Sequence, residues 1–394
     1  MELCVPTNWQ KEIITRLPQI NRSKQIKEVY GKLSSDDVGG GRPSSSTAFI
    51  SKRAAQRHIQ QLADSGFKFN YLLNALCMDN IEFTRLGQKK LFRLMDWLRA
   101  SGVSSVTVSI PYLAMWIKDN YPEVAITVSA MANVDSLNKA VFWDSLGVEK
   151  ITFPGPAVNR NFSLIERLKK SLKCKIQLVA NNACLLNCPA YINHALMNSH
   201  ASQSWHACRG YAFDYHLIMC RYKRLQNPAH FLRSDWIRPE DIGFYERLGV
   251  DSIKLVDRRL STAMILNIIE AYVKRSYQGN FLDLLHTFQG KTFNQHKGWM
   301  QKLFCAPNPF SVNIFKVLEF SRLLGKLEVF IDNKKLDGFL ERLPRECDPS
   351  YCQDCGYCAS IASRVVEMDR EYQDRILKEY QRVIGSLFES GLAL

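Results

Sequence analysis

The sequence predicts a (β/α)8, TIM-like barrel with a long cysteine-rich loop after its sixth strand and a cysteine-rich C-terminal extension. Three observations predict it. Short β-branched or aromatic runs alternate with amphipathic stretches, the pattern of parallel strands joined by helical crossovers. Ser101-Gly102-Val103, Leu146-Gly147-Val148 and Leu248-Gly249-Val250 repeat one junction of helix, glycine and strand, with glycine at the position that ends a helix. A length of 394 residues, 46% of them hydrophobic, suffices for one large barrel and an appendage. A doubly wound open sheet is the rival, but no glycine-rich dinucleotide fingerprint follows the first strand run.

In chain order, the strand runs are Ile26–Tyr30, Phe67–Leu73, Val103–Ile110, Val124–Ser129, Lys150–Phe153, Lys175–Ala180 and Ser252–Val256. One strand is missing between the sixth and the last, and His230–Leu232 is the only place for it. Helical periodicity covers Ser51–Ser65, Thr84–Ser101, Pro111–Asn120, Asp135–Leu146, Ser163–Leu172 and Pro239–Leu248. The barrel is expected over 1–290, with an insertion at 181–228 rich in Cys, His and Asn. Long loops after barrel strands are where such folds build their sites. The extension, 291–394, holds a turn of sequence FCAPNPF, a strand pair near Val329–Ile331, a run of cysteines and a helical tail from Ile361 to about Phe388.

The net charge of +14 favours contact with phosphates or other anions, although a basic surface serves solubility equally. No apolar run reaches the roughly 18 residues of a membrane span. The opening MELCVPTNWQKE lacks the basic-then-apolar pattern of an export signal, so a cytoplasmic location is expected. Thiols stay reduced there, and twelve cysteines then point to metal rather than to disulfides.

Those cysteines fall into two sets. Cys184, Cys188, Cys208 and Cys220 share the long loop, and four soft thiolates suit an iron–sulfur cluster or zinc. Zinc sites usually show two tight knuckles, whereas the spacing here is wide and uneven, as for a cluster wrapped by a loop. Cys347, Cys352, Cys355 and Cys358 form the compact run CDPSYCQDCGYC. Its C-x2-C-x2-C core resembles a ferredoxin arrangement for a [4Fe–4S] cluster, with a zinc knuckle as the alternative.

No HExxH, GxSxG or P-loop is present, so the polar candidates come from strand ends. Glu28 and Tyr30 share one face of the first strand run. With Lys254, Arg258 and His200 they are the catalytic candidates. Arg42 after three glycines, Asn70, Asn74, Asn133 and Asn182 are candidates for holding a carboxylate or phosphate. Each asparagine serves equally as a turn former. His200 and His206, inside the cysteine loop, are open to three roles: proton donor, metal ligand or loop residue. Tyr211, Phe213, Tyr215 and Tyr222 interleave with Arg209, Arg221, Lys223 and Arg224. That mixture suits stacking on single-stranded RNA, or a lid over a cluster.

The stretches KEVYGKLSSDDVGGGRPS, KFNYLLNA, SAMANVDS, NNACLLNCP, ACRGYAFDYHLIMC and DWIRPEDIGFYERLGVDSIKLVDR resemble the collagenase-like peptidases, peptidase family U32. The resemblance runs from about residue 24 to 275, with a weaker match in the cysteine-rich tail. It implies a barrel with a [4Fe–4S] cluster near its C-terminal face, held by Cys184, Cys188, Cys208 and Cys220. Members with this cysteine set take part in oxygen-independent hydroxylation of a quinone precursor or of RNA pyrimidines. Others were described as proteases. The acidic signature of the peptidase members is replaced here by Asn181-Asn182-Ala183-Cys184, and valine stands at position 256 where they carry glutamate. The expectation is therefore an iron–sulfur hydroxylase or related redox enzyme acting on an RNA base or a small anionic metabolite. An electron donor of unknown identity and a family paralogue in a hetero-oligomer are the partners this expectation carries. A peptidase and a non-catalytic iron–sulfur or RNA-binding partner are the alternatives.

Overall fold

The structure, a computed structural model, describes residues 1–206, 210, 212–288, 313–341, 343, 347 and 352–391. Eight parallel strands close into a barrel: β1 (Glu2–Pro6), β2 (Ile26–Gly31), β3 (Lys68–Leu73), β4 (Ser105–Val108), β5 (Ala125–Val128), β6 (Lys150–Thr152), β7 (Lys175–Val179) and β8 (Ser252–Lys254). The closing seam joins β1 to β8, with Leu3 opposite Ile253 and Cys4 opposite Lys254.

The expected barrel is therefore present, with one strand misplaced. The strand sought at His230–Leu232 is a single helical turn, Ala229–Leu232. The true eighth strand is β1, a five-residue run ending in proline, too short to show a period. Every later strand moves up one place, so the cysteine-rich loop follows the seventh strand. Strand alternation explains β1 once the register is known. Leu3 and Val5 join the shell between strands and helices, whereas Cys4 turns inward beside Tyr30 and Leu72.

The expected helices appear at Lys52–Asp64, Arg85–Ala100, Pro111–Asn120, Leu137–Ser145 and Phe162–Ser171. The last, Pro239–Leu248, splits into a 3-10 turn and the helix Ile242–Arg247. Gly102, Gly147 and Gly249 take φ of +82°, +70° and +88°, the left-handed stop that the repeated tripeptides require. Among the helices that escaped the periodicity are two beside the barrel wall. Lys11–Ile20 contains Pro18, and Thr262–Lys274 is apolar on most sides. They pack together near the β1–β8 seam.

In the extension, β9 (Phe330–Ile331) pairs antiparallel with β10 (Val366–Glu367), where a strand pair was expected. The helical tail is interrupted by β10. Helix Tyr357–Val365 ends before it, and Arg370–Ser390 restarts after the Asp369 side chain caps the Tyr372 amide. The first packs on Ala229–Leu232 and the second on helix Tyr215–Gln226, and one continuous apolar core links them to the barrel. Among the described residues no helix is long and apolar enough to cross a membrane.

Candidate active site at the barrel mouth

The lower interior of the barrel is filled by paired polar groups. Glu28 accepts from both sides: Lys150 Nζ lies 3.1 and 3.2 Å from its two oxygens, the Cys4 thiol 3.0 Å and Ser105 Oγ 3.3 Å. Burial pushes the Glu28 carboxyl up, but Lys150, the Cys4 thiol and Lys254 together hold the group below its ordinary value. Asn70 accepts from Thr107 at 2.6 Å and donates to Thr127 at 3.4 Å. Both candidates are thus engaged inside the barrel, below the level of Tyr30.

Tyr30 and Lys254 mark the next level. The Lys254 ammonium sits 4.3 Å from the centre of the Tyr30 ring, a cation–π contact, and has no hydrogen-bond acceptor among the described residues. Burial lowers its pKa, against the attraction of the Cys4 and Glu28 side chains. The Tyr30 hydroxyl donates to the Leu255 carbonyl at 2.9 Å. Arg258 turns back across the mouth, and its Nη1 donates to the Lys32 carbonyl at 2.8 Å while its buried Nη2 has no partner.

Asp257 attracts Arg258 electrostatically but makes no direct ion pair with it. Its carboxylate accepts from Arg42 Nε at 2.6 Å and Arg259 Nε at 2.9 Å, with His286 Nε2 at 3.9 Å. Burial would raise the Asp257 carboxyl, but the two guanidinium groups hold it well below the usual range. Burial brings His286 down to about 3, so that ring is neutral at ordinary pH. The rim therefore carries Arg42, Arg258, Arg259 and Lys254 against the carboxylates of Asp257 and of Asp214, whose charge also bears on Arg42 and Arg259, and the remaining excess suits an anion.

The thiols lie beside this rim. Cys184 follows β7, and its amide donates to Asp235 at 2.7 Å. Asn182 Nδ2 donates to Asp235 at 2.8 Å and to Cys184 Sγ at 3.2 Å. Cys188 and Cys220 are close enough for their charge to bear on Cys184, so sequence-distant thiols share one neighbourhood. Cys220 is carried by helix Tyr215–Gln226, started by Asp214, whose side chain accepts from the Leu217 amide at 3.0 Å. Arg224, one turn on, donates to the Ala183 carbonyl and to Ser234 Oγ and fixes that helix to the Cys184 strand end. Cys208 lies outside the described residues.

Asp235, like His286, is a site residue that no pattern in the sequence singled out. It is fully buried, and burial pushes it up to about 6 despite its hydrogen bonds. Its neighbour Gly155 has no room for a side chain, since a Cβ there would lie 2.3 Å from the Asp235 carboxylate.

The remaining candidates divide. Arg42 reaches the rim. Asn182 supports Cys184. Asn74 donates to Ser129 at 3.1 Å and leaves its buried Oδ1 unpaired. Asn133 is a left-handed turn residue, φ +50°, bonded to Asp135. His200 stacks on His206 beside Asp79, away from Lys254 and Arg258. The glycine loop docks rather than opens. The Gly39 amide donates to Asp36 and the Gly40 amide to Ser202, and a Cβ on Gly41 would meet Met131 Sδ at 2.6 Å.

Several members of the ridge expected to stack on RNA pack within the molecule, while Lys223 is exposed. Phe213 packs on Phe320 and Tyr222 on Tyr380, while Arg221 donates to the carbonyls of Leu323, Gly325 and Thr287. Arg209 and Tyr211 lie outside the described residues. In the extension, Cys355 is exposed, and Cys347 and Cys358 pack against the core. The side chain of Cys352 lies outside the described residues.

Fold and site define a closed parallel barrel with a cationic mouth and a set of thiols at one side of it. The chain belongs to peptidase family U32, whose model matches residues 45–283. An uncharacterized protease of Methanocaldococcus jannaschii is 29% identical over 358 residues, 90% of this chain and 94% of that protein. Among solved structures, the U32 peptidase Mk0906 is 19% identical with a TM-score of 0.48, covering 65% of this chain and 93% of its own. A probable 3-DHS dehydratase of Bacillus anthracis is 9% identical with a TM-score of 0.39, covering 70% and 98%.

Proposed function

We propose that the protein is an iron–sulfur redox enzyme acting on an anionic substrate, in the manner of the oxygen-independent hydroxylases of its family. The observation that carries this reading is the gathering of the Cys184, Cys188 and Cys220 thiols beside the cationic rim. Soft thiolates are the donors an iron–sulfur cluster takes, and Cys208 would complete the set. Such a cluster supplies or accepts single electrons. The Asn182 amide, donating to Cys184 Sγ, is of the kind that tunes a bound cluster.

The residues of the mouth have definite parts in this reading. The open ammonium of Lys254 and the free Nη2 of Arg258 bind and orient the anion. Arg42, Asp257 and Arg259 hold one another and keep the rim in shape. The Tyr30 ring gives an aromatic substrate a flat wall.

Anaerobic purification with counting of iron, sulfide and zinc tests the proposal. Iron and sulfide in equal numbers, lost together with the brown colour in Cys184→Ala, is the expected result. Zinc alone, or no metal, together with peptide hydrolysis by the pure chain, would return it to the activity in the family's name.

A further inference from the structure

We propose that Cys77, Asp79, His200 and His206 form a second metal site, for a borderline divalent cation such as zinc, away from the thiols of the barrel mouth. Cys77 and Asp79 lie in the loop after β3. His200 ends helix Tyr191–His200, and His206 lies in the loop that leaves it. The ligand atoms of Cys77, Asp79 and His200 all lie within 4.8 Å of one another. A tetrahedral ion with bonds of about 2.0–2.3 Å draws its donors slightly closer than that. The fourth donor is at hand: His206 Nε2 is 3.5 Å from Asp79 Oδ2, and its ring stacks on His200 at 4.2 Å.

Two features point to a ligand rather than to a solvated polar loop. His200 Nε2 is buried and has no hydrogen-bond partner, although it faces Asp79 Oδ1 at 3.9 Å. Leaving such a buried nitrogen unpaired is unfavourable unless something binds it. The backbone of Asp79 and Asn80 is also held left-handed, at φ +51° and +62°. That turn brings the Asp79 amide to 3.3 Å from Cys77 Sγ and folds thiol and carboxylate toward the same point.

The frame is assembled without the metal. The Leu76 amide donates to Ser199 Oγ at 3.1 Å, and Gln203 Nε2 donates to the Cys77 carbonyl at 2.6 Å. Trp205 Nε1 donates to the Asp37 carbonyl at 2.9 Å. One thiolate, two imidazoles and a carboxylate make a donor set suited to zinc, too soft for magnesium or calcium and too poor in sulfur for an iron–sulfur cluster. Bound there, the ion ties the loop after β3 to the start of the segment that contains Cys208.

Cobalt(II) is the probe, titrated into the purified full-length chain without oxygen. The expected result is one equivalent bound, with a thiolate-to-cobalt absorption band and displacement by zinc. Cys77→Ser, close in size to the parent, should remove that band and weaken binding at least about tenfold. His200→Ala and His206→Gln should weaken binding too. The double variant Cys184→Ser/Cys220→Ser should keep the band, which separates this site from the proposed cluster. The inference is overturned if Cys77→Ser binds cobalt like the parent, if the band disappears only in the double variant, or if cobalt at about 0.1 mM does not bind.

Discussion

At the mouth of the barrel one guanidinium nitrogen of Arg258 is held by the Lys32 carbonyl and the other is left without a partner. A bound carboxylate or phosphate would complete it. Arg258→Ala should therefore cost on the order of 2–3 kcal/mol, roughly a hundredfold, in the affinity of the tightest anion from a panel of aromatic carboxylates and phosphates. Arg258→Lys should recover little of it, because the charge stays but the planar fork is lost. Equal affinities for all three proteins would move the anion site elsewhere. A second residue-scale test concerns His58, buried edge-on against Trp9, with Nε2 2.9 Å from Thr7 Oγ1. Burial lowers its pKa from 6.5 to about 4. Between those values the unfolded chain binds the proton and the folded chain does not. Stability is thus fully present above about pH 6.5 and falls as pH drops toward 4, by on the order of 3 kcal/mol. Urea unfolding at a series of pH values should show this slope in the parent and lose most of it in His58→Gln. The Cys184, Cys188 and Cys220 thiols could be singled out in the sequence by their type and spacing. Asp235 and His286 could not, since Asp235 is bonded to Asn182 and Cys184 and His286 faces Asp257 and Asn181, contacts that no local pattern records.

Among the elements, β1 was the hardest to read and is among the least dispensable. A five-residue strand offers two outward side chains, and no periodicity can be read from two. Its neighbours were found because glycine stops and helices frame them. Helix Thr262–Lys274 escaped for the opposite reason: with apolar residues on most of its surface, it shows no polar face to mark its period. The importance of β1 can be tested with Val5→Asp. Val5 is fully buried, and an unpaired carboxylate there should cost more than about 4 kcal/mol. Chemical denaturation should find the variant unfolded, or close to it, under conditions where the parent is native. A stable, cooperative Val5→Asp protein would contradict the register of the seam.

For the whole molecule, the sequence suggested a barrel with a separate appendage, and contacts between the two carry the cysteine pocket. Tyr380 of the last helix is fully buried, stacks on Tyr222 and donates to the Leu323 carbonyl at 2.7 Å. Arg221 reaches the same turn, through Leu323 and Gly325. These contacts join segments from 57 to more than 100 residues apart, beyond any local pattern. Tyr380→Ala should cost about 3–5 kcal/mol, the usual range for emptying a large aromatic site. Hydrogen exchange should quicken first in Tyr215–Gln226, the helix that bears Cys220, while the strands of the barrel stay protected. If exchange in that helix is unchanged, the last helix is a passive cover.

The seam between β1 and β8 also sets the order of events at birth. β1 meets β2 soon after both are made, but its other neighbour is made roughly 250 residues later, a wait of about 12–50 s at ordinary rates of translation. Throughout that interval the nascent sheet has an open flank to which another chain can add. Closure is the most non-local pairing in the sheet and waits longest for its reward. The yield of soluble protein in a cell should therefore follow translation speed and chaperone supply more closely than it follows the stability of the finished barrel.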